Sequence, residues 1–235
     1  MSYYSFTFGG ISTSTYNVFI SPNDNFGVPE RVVEVQPIPG KNGDVVIDQG
    51  RYANKDVTYT CYVRKDMMTD GVNFLDAIKA KHGYQKFTDT VQTDIFRMGY
   101  LKGDTDVAVS QMRRSGYFGL VFNFKPQKFL NSGDSFVTVA TGDVLTNPTK
   151  QTALPILRLY GTGTITIGGV AVTVNTNSSY TDIDCELGDA YYGSTNRNGN
   201  ITVSNNKFPS LPAGNSTVTF SGFTTVKIKP RWWRL

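Results

Sequence analysis

The sequence of 235 residues is poor in the residues that most often carry chemistry, with one histidine, two cysteines and two tryptophans. A catalytic triad, a histidine-based metal site or a histidine general base would each have to use His82. This residue lies near the end of a predicted helix, where a surface side chain that complements the helix dipole accounts for it. The sequence contains no C-x-x-C, H-E-x-x-H or G-x-x-x-x-G-K-[S/T] pattern. We therefore expect no enzyme activity, no catalytic residue, no metal and no cofactor.

Charge and long apolar runs are also scarce. Charged residues make up 18% of the chain and the formal net charge is +4, which does not by itself point to nucleic acid or an anionic membrane. No run approaches the roughly 20 apolar residues that cross a bilayer. The opening MSYYSFTFGGISTS lacks the basic start and apolar segment of a signal peptide. Cys61 and Cys185 occupy apolar positions of alternating segments, which favours two buried thiols over a disulfide and predicts a soluble protein made in a reducing compartment.

Aromatic, β-branched and turn-forming residues are plentiful instead. Aromatic residues make up 13% of the chain and glycine occurs 23 times, a mixture typical of β-strands joined by many turns. Apolar and polar residues alternate in DVTYTCYVR, which predicts a strand. Its predicted core face consists of Val57, Tyr59, Cys61 and Val63.

One segment, residues 69–83, has a helical period. Its apolar stripe consists of Phe74, Leu75 and Ile78. Thr69 or Asp70 is the predicted N-cap, and Gly83 is the predicted end. The sequence therefore predicts a single helix, which packs on the sheet of the first half.

Two features mark the middle of the chain. The strand YFGLVFNF is predicted to end at Pro126, because proline cannot donate to a sheet ladder. The stretch 131–152 is rich in serine, threonine, glycine and asparagine, and we interpret it as a domain junction.

The second half contains a clear β-hairpin signal in TITIGGVAVTV. Gly168 and Gly169 predict a two-residue turn, because glycine accepts the positive φ angles that such turns require. The turn pairs Ile167 with Val170 and Ile165 with Val172, so that both pairs share one face. Short strands with frequent turns then predict a β-sandwich.

The segment TDIDCELGD alternates as well, which predicts that Ile183, Cys185 and Leu187 point inward. The acids Asp182, Asp184 and Glu186 then share the outer face of the strand, with Asp189 close behind. Such acids suit Ca²⁺, but no glycine-hinged loop organises them, and a solvated strand face explains them equally well.

Cations stand beside aromatic residues in two places. Arg113 and Arg114 precede Tyr117, and the chain ends KPRWWRL, in which Trp232 and Trp233 would point to opposite faces of a strand. Single-stranded nucleic acid and protein partners both use such residues. The small net charge favours a protein interface, with one tryptophan in the core and the other left for a neighbour.

Several of these segments, in this order, resemble the distal tail protein (Dit) family of long-tailed, non-contractile phages. The matching segments are SFTFGGIS, PIPGKNGD, GRYANKDVTYT, FLDAIKA, FGLVFNFKP, LPILRLYGTGTITI and KFPSLPAGNSTVTFSGF. The similarity extends along nearly the whole chain, and the order and spacing of the segments carry it. The late turn FPSLPAGN differs slightly from the family's turn, because Asn215 follows the glycine immediately.

The resemblance implies a mainly β (α+β) fold in two domains. Residues 1–135 would form an N-terminal β-sandwich-like ring domain with one helix. Residues 136–235 would form a galectin-like, or carbohydrate-binding-module-like, β-sandwich. In the late turn, Phe208 would anchor in the core while prolines reverse the chain.

The resemblance also implies a function, that of a structural hub in the virion. Six subunits would form a ring at the tip of the tail tube, leaving a channel through which phage DNA passes without specific binding. The second domain would hold tail fibre, receptor-binding or other baseplate proteins, and no membrane would be involved. The chain would be made in the host cytoplasm. Candidate subunit-interface residues are Arg51, Tyr52, Arg113 and Arg114.

Two other functions compete with the hub. A carbohydrate-binding module for the host cell wall would need exposed aromatic residues with polar groups beside them. Candidate contacts for a sugar or for a partner protein are Tyr191, Tyr192 and Trp233, with Tyr180 in the same platform. An enzyme acting on wall polymers is disfavoured by the single histidine and the unpaired acids.

Overall fold

The computed structural model describes residues 3–22, 27–110, 114–176 and 179–235. The chain divides into two compact units, Met1–Lys128 together with Leu235, and Phe129–Arg234. Within the described residues both units consist mainly of strands, and a single α-helix is present. The predicted mainly β fold with one helix is therefore confirmed. The division falls after Lys128, whereas the predicted boundary lies after residue 135, and the roles assigned to the two domains stay predictions.

The first unit contains ten strands in its described part. Their bounds are β1 Phe6–Phe8, β2 Ile11–Ser12, β3 Val18–Ile20, β4 Arg31–Gln36, β5 Val45–Tyr52, β6 Lys55–Val63, β7 Gln85–Asp89, β8 Ile95–Lys102, β9 Val107–Val109 and β10 Gly116–Leu130. The main sheet has the order β2-β1-β7-β8-β10-β6-β3, and β9 also pairs with β10. Strands β4 and β5 form a separate two-stranded sheet.

The core of this unit is aromatic. All four inward residues predicted for DVTYTCYVR are buried in β6, which confirms that strand and its face. The ring of Phe87 lies 4.9 Å from that of Phe6 and 5.1 Å from that of Phe122, centroid to centroid. Such pairs add about 0.5–1.5 kcal/mol each beyond the burial of their apolar area.

The predicted helix is confirmed as α1, Val72–Lys79. Its stripe faces the core as predicted, because Phe74 and Ile78 are fully buried and Leu75 packs against the same cluster. Gly83 has a φ of +66° but lies beyond the end of the helix.

The predicted N-caps of the helix, Thr69 and Asp70, were wrong. A π-helical segment, Met67–Gly71, precedes α1, and Asp66 caps it by accepting a hydrogen bond from the backbone N–H of Met68 at 2.9 Å. The extra turn moves the cap toward the N-terminus, and the sequence pattern of α1 contains no sign of it.

The predicted end of a strand at Pro126 was also wrong, because β10 continues through this residue to Leu130. The pairing of β10 with β6 covers Gly116–Phe124. Pro126 therefore lies beyond the ladder on that side, where its missing N–H has no partner to lose.

The second unit contains the remaining strands. Their bounds are β11 Val137–Val139, β12 Val144–Asn147, β13 Ile156–Ile167, β14 Val170–Val174, β15 Tyr180–Asp184, β16 Asp189–Tyr192, β17 Thr195–Asn196, β18 Ile201–Val203, β19 Gly214–Lys229 and β20 Trp233–Arg234. The order β11-β19-β13-β15-β16-β17 forms a sheet, to which β12, β14 and β18 add further pairs. The stretch 131–152, interpreted as a junction, contains β11 and β12, which both pair with β19.

The turns predicted from local sequence in this unit are confirmed. Gly168 and Gly169 have φ angles of +58° and +79°, and they place Ile167 opposite Val170 as predicted. In the late turn, Phe208 packs against the core and Leu211 is fully buried. In the described part of the chain, no helix has the length and hydropathy needed to span a bilayer.

Candidate assembly surfaces

Strands β4 and β5 and the loop between them form a hairpin that we call the arm, residues 31–52. Every residue of the arm is exposed except Val32 and Tyr52, which are partly exposed. Among the described residues, neither strand of the arm pairs with a strand outside it. The outer backbone edge of each strand is therefore available to another chain.

The arm is apolar despite its exposure. Val35 pairs with Val46 across the two strands, so that these side chains share one face with Val33. Their exposed fractions are 51%, 61% and 42%, respectively. Further exposed apolar side chains of the arm are Ile38, Val45 and Ile47. Val45 and Ile47 pair with Gln36 and Glu34 and lie on the opposite face from Val35 and Val46, so both faces of the arm expose apolar side chains. Exposed apolar clusters are characteristic of protein–protein contacts.

Polar contacts fix the root of the arm. The guanidinium of Arg31 forms a salt bridge with Asp48 and lies over the ring of Tyr52, 5.7 Å from its centroid. The other Asp48 oxygen accepts a hydrogen bond from the N–H of Gly50 at 2.8 Å. The hydrogen bond from Arg31 is the main cause that lowers the pKa of the Asp48 carboxyl. Arg51 and Tyr52 are the two candidate subunit-interface residues in the arm. Arg51 is exposed, and the ring of Tyr52 lies under the guanidinium of Arg31.

A row of aromatic side chains crosses the outer face of the main sheet of the first unit. We call it the aromatic strip, and its members are Tyr3, Phe19, Tyr62 and Tyr117. Strand register puts Phe19 opposite Tyr62, and Tyr62 opposite Tyr117. Ring centroids are 4.8 Å apart for Tyr3 and Phe19, 5.8 Å for Phe19 and Tyr62, and 6.5 Å for Tyr62 and Tyr117. The exposed fractions of Tyr3 and Tyr117 are 41% and 61%.

Cations border the aromatic strip. The guanidinium of Arg64 lies 4.5 Å from the ring centroid of Tyr3. Arg114, an interface candidate, is exposed and stands three residues before Tyr117. The other candidate in this pair, Arg113, lies outside the described residues. Sequence reasoning missed the strip as a group, because its four members come from separate segments and only strand register aligns them.

Asp182, on the side of β15 that faces away from the core, was predicted to face solvent, and this prediction was wrong. Asp182 is buried, and it accepts hydrogen bonds from Nε and Nη2 of Arg158, both at 2.7 Å. The Arg158 guanidinium lies between the rings of Phe136 and Tyr180, 4.4 Å and 4.5 Å from their centroids. The hydrogen bonds to Asp182 raise the pKa of Arg158. This carboxylate is an internal partner of an arginine on the neighbouring strand.

Asp184 and Leu187 were also predicted on the wrong sides. Asp184 is buried, and its carboxylate accepts from the backbone N–H groups of Glu186 and Leu187, which ends β15 and its alternation. Leu187 is consequently 71% exposed. Arg231 forms salt bridges with both Asp184 and Glu186. Asp182, Asp184 and Glu186 are therefore paired with arginines, whereas Asp189 accepts a hydrogen bond from the side chain of Asn198.

The candidate contacts of the second unit lie in different surroundings. Tyr192 is 38% exposed, and its ring packs edge-on against Tyr180 at 4.8 Å. Tyr191 is partly exposed, and burial raises the pKa of its hydroxyl. Trp233 packs partly against the core, and its Nε1–H donates to the carbonyl of Thr152 at 2.9 Å, while Trp232 is buried.

The side chains that could take part in catalysis or metal binding lie apart from one another. His82 is exposed, three residues beyond the end of α1. Within the described ranges, no three histidine, cysteine, aspartate or glutamate side chains are placed to hold a metal ion. Cys61 and Cys185 are free and buried, as predicted, and burial raises the pKa of each thiol to about 12.

No family model and no curated protein matches the sequence. In structure, the chain is similar to Dit of phage SPP1, described as a paradigm of the hub adsorption apparatus in phages that infect Gram-positive bacteria. The TM-score is 0.72 at 11% identity, over 97% of this chain and 98% of that chain. A chain of the phage P2 baseplate in its activated conformation with calcium gives a TM-score of 0.53 at 10% identity, over 97% of both chains. The protein thus has a Dit-like fold along its whole length.

Proposed function

We propose that this protein is a structural hub of the distal tail of a long-tailed, non-contractile phage. Six copies form a ring that joins the tail tube to the host-adsorption apparatus. The ring leaves an axial channel, through which DNA passes without specific contacts. The protein acts in the virion, at the tail tip, after synthesis in the host cytoplasm.

The observation that carries this proposal is the likeness to SPP1 Dit over the whole chain. A likeness confined to one unit would be compatible with a common β-module in many contexts. Coverage of both units in one order favours a shared architecture, and it agrees with the resemblance seen in the sequence.

The arm supports self-assembly. Its apolar side chains and free strand edges have no partner among the described residues of the same chain. Stable interfaces bury more than about 1,000 Å² in total, and an exposed hairpin can supply much of such an area. A contact between the arm and a different surface of the next copy is head-to-tail, and it generates a ring when the rotation closes.

The proposed partners follow from the same role. One end of the ring contacts the tail tube protein, and the second unit holds tail-associated, tail fibre, receptor-binding or baseplate proteins. The work is mechanical and non-enzymatic.

Native mass spectrometry of the purified chain at several concentrations, with negative-stain images of the same sample, tests the proposal. We expect a six-subunit species and rings with a central hole. A chain that stays monomeric at every concentration, and that also fails to enter rings when purified tail tube is added, would contradict it.

Sugar binding by the second unit is a second candidate function, favoured by the ring packing of Tyr160, Tyr180 and Tyr192. Aromatic faces beside polar groups suit the apolar faces of sugars. A glycan array probed with the full chain and with Tyr192→Ser tests this function. Binding that is lost in the variant supports it, and no ligand at high protein concentration contradicts it.

A further inference from the structure

We infer that the aromatic strip of one copy is the receptor for the tip of the arm of a second copy. The tip is the loop Pro37–Gly40, with the apolar side chains of the arm behind it. This inference rests on the proposed function, since it names the contact that builds the ring. It assigns the receiving surface, which neither the sequence nor the likeness to known structures identifies.

The aromatic strip has the properties of an unoccupied interface. Four rings lie side by side on the solvent face of the sheet, and the outermost, Tyr117, is 61% exposed. Tyrosine and phenylalanine present large area with few rotatable bonds, so that their ordering on binding costs little entropy. Rows of this type are enriched at protein–protein contacts, where aromatic side chains act as hot spots.

The tip of the arm has the complementary chemistry. Pro37 and Pro39 flank Ile38, which is 41% exposed, and Gly40 has a φ of +79° in the turn that follows. The N–H of Lys41 donates to the carbonyl of Ile38 at 3.2 Å, which shapes this turn. Proline-containing segments are pre-ordered, and they dock on surfaces lined with aromatic rings. The tip therefore fits the strip better than it fits a polar surface.

Charge agrees with the same pairing. Arg64 lies over the ring of Tyr3 in the aromatic strip, and the exposed Arg114 stands three residues before Tyr117 in the sequence. The distal part of the arm carries Glu34 and Asp44, and no described residue forms a salt bridge with either carboxylate. Carboxylates near guanidinium groups at the rim of an interface mainly set orientation and association rate.

The arm is long enough for an intermolecular contact. Strand β5 has eight residues, which span about 26 Å at about 3.3 Å per residue. Both the tip and the strip are exposed in the single chain, so they do not cover one another. One copy thus carries both halves of a head-to-tail contact, and repetition of such a contact forms a ring when the rotation between copies closes.

Cysteine cross-linking tests this contact directly. Ile38→Cys and Tyr117→Cys are made singly, and both exposed sites tolerate substitution. The two native thiols are buried with a pKa of about 12, so they stay unreactive in the folded chain. We expect a disulfide-linked heterodimer when the two single variants are mixed, and a ladder of oligomers when one chain carries both changes.

Substitution gives an independent readout. Tyr62→Ser with Tyr117→Ser should weaken oligomerisation by about thirtyfold or more, the effect of removing a hot-spot side chain. Leu187→Ser removes a 71% exposed apolar side chain from the other unit, where no contact between copies is proposed, and serves as the control, with no expected change. Pro37→Ser with Pro39→Ser should weaken oligomerisation as well. A variant that carries these two changes together with Tyr62→Ser and Tyr117→Ser should lose less than the sum of the two separate effects, because both pairs of changes remove the same contact. Far-UV circular dichroism verifies that each variant is folded.

The outcomes separate this inference from the proposed function. Six-subunit rings that persist in the strip variant, with no cross-link between the two sites, would overturn the inference and leave the hub intact. Cross-linked oligomers of another stoichiometry would support the contact and contradict the six-subunit ring. Monomers without a cross-link, in the presence of purified tail tube as well as in its absence, would contradict both. Binding of an oligosaccharide or oligonucleotide that depends on Tyr117, without a cross-link, would assign the strip to another ligand and overturn the inference.

Discussion

The arm of the first unit and the outer face of the second depart from the usual distribution of polarity in opposite directions. In the arm, valines and isoleucines lie in solvent, and Val46 is 61% exposed. On the outer face of the second unit, carboxylates are buried, and Asp182 is only 5% exposed. The buried carboxylate has its partner, Arg158, on the next strand.

The difference separates stability from assembly. A buried ion pair that is complete within the chain contributes to the fold of that chain, and breaking it destabilises the unit. Exposed apolar side chains without a partner contribute little to folding, but they become favourable when a second copy covers them. Substitutions in the two regions should therefore change different measurements.

The largest expected effect on folding comes from Arg158→Met. The substitution leaves the Asp182 carboxylate buried without its partner, which should lower the free energy of unfolding of the second unit by about 3 kcal/mol. Both tryptophans of the chain belong to this unit, so their fluorescence during urea unfolding follows the unit that contains Arg158.

A second substitution distinguishes the lost partner from lost packing. Arg158→Met combined with Asp182→Leu removes both charges and should recover most of the stability. If the double variant is as unstable as Arg158→Met alone, the unpaired carboxylate is not the cause.

In the arm, Val33→Ser, Val35→Ser and Val46→Ser together should have the reverse profile. Oligomerisation measured by sedimentation should weaken by about thirtyfold or more, because a large part of the proposed contact becomes polar. The free energy of unfolding of the chain should stay within about 0.5 kcal/mol of its original value.

The matched control for the arm uses Val137→Ser and Val144→Ser, which change exposed valines of the second unit. This control should leave assembly unaltered. Equal loss of assembly in both sets of variants would contradict a specific role of the arm.

A smaller effect is expected from Arg51→Ala with Tyr52→Ala at the root of the arm. Loss of one exposed cation and one partly exposed ring should weaken assembly by about fivefold, which corresponds to about 1 kcal/mol. Native mass spectra across a dilution series measure this shift. Unchanged ring formation would remove these residues from the proposed interface.

The smallest expected effect is that of pH on the root of the arm. Arg31 lowers the pKa of Asp48, so the salt bridge favours the ordered root above the ordinary carboxyl pKa of about 3.9 and is lost as pH falls through the lower folded value. The amide signal of Gly50, which donates to Asp48, should shift in this acidic range in NMR spectra. Asp48→Asn should abolish the titration, and its persistence would assign it to another group.

Turns that depend on adjacent residues were predicted correctly from the sequence, whereas contacts between residues far apart in the chain were not. The turn at Gly168 and Gly169 depends on adjacent residues, and its register was predicted correctly. The position of Asp182 depends on Arg158, a partner 24 residues away that only the sheet brings alongside, so alternation alone placed this acid in solvent.

The candidate surfaces show the same limit. PIPGKNGD was correctly predicted as a loop, because proline and glycine mark it locally. The aromatic strip could not be predicted as a row, because Phe19, Tyr62 and Tyr117 align only through the register of three strands. The cap at Asp66 was missed because a π-helical turn has no periodic signature in the sequence.

Hydrogen–deuterium exchange of the arm amides, compared between assembled and dissociated protein, tests the central claim most directly. If the arm is the contact that holds copies together, exchange in residues 31–52 should slow by about tenfold or more on assembly, while the amides of the second unit stay unchanged. Equal exchange of the arm in both states would show that it remains uncovered, and it would contradict the account.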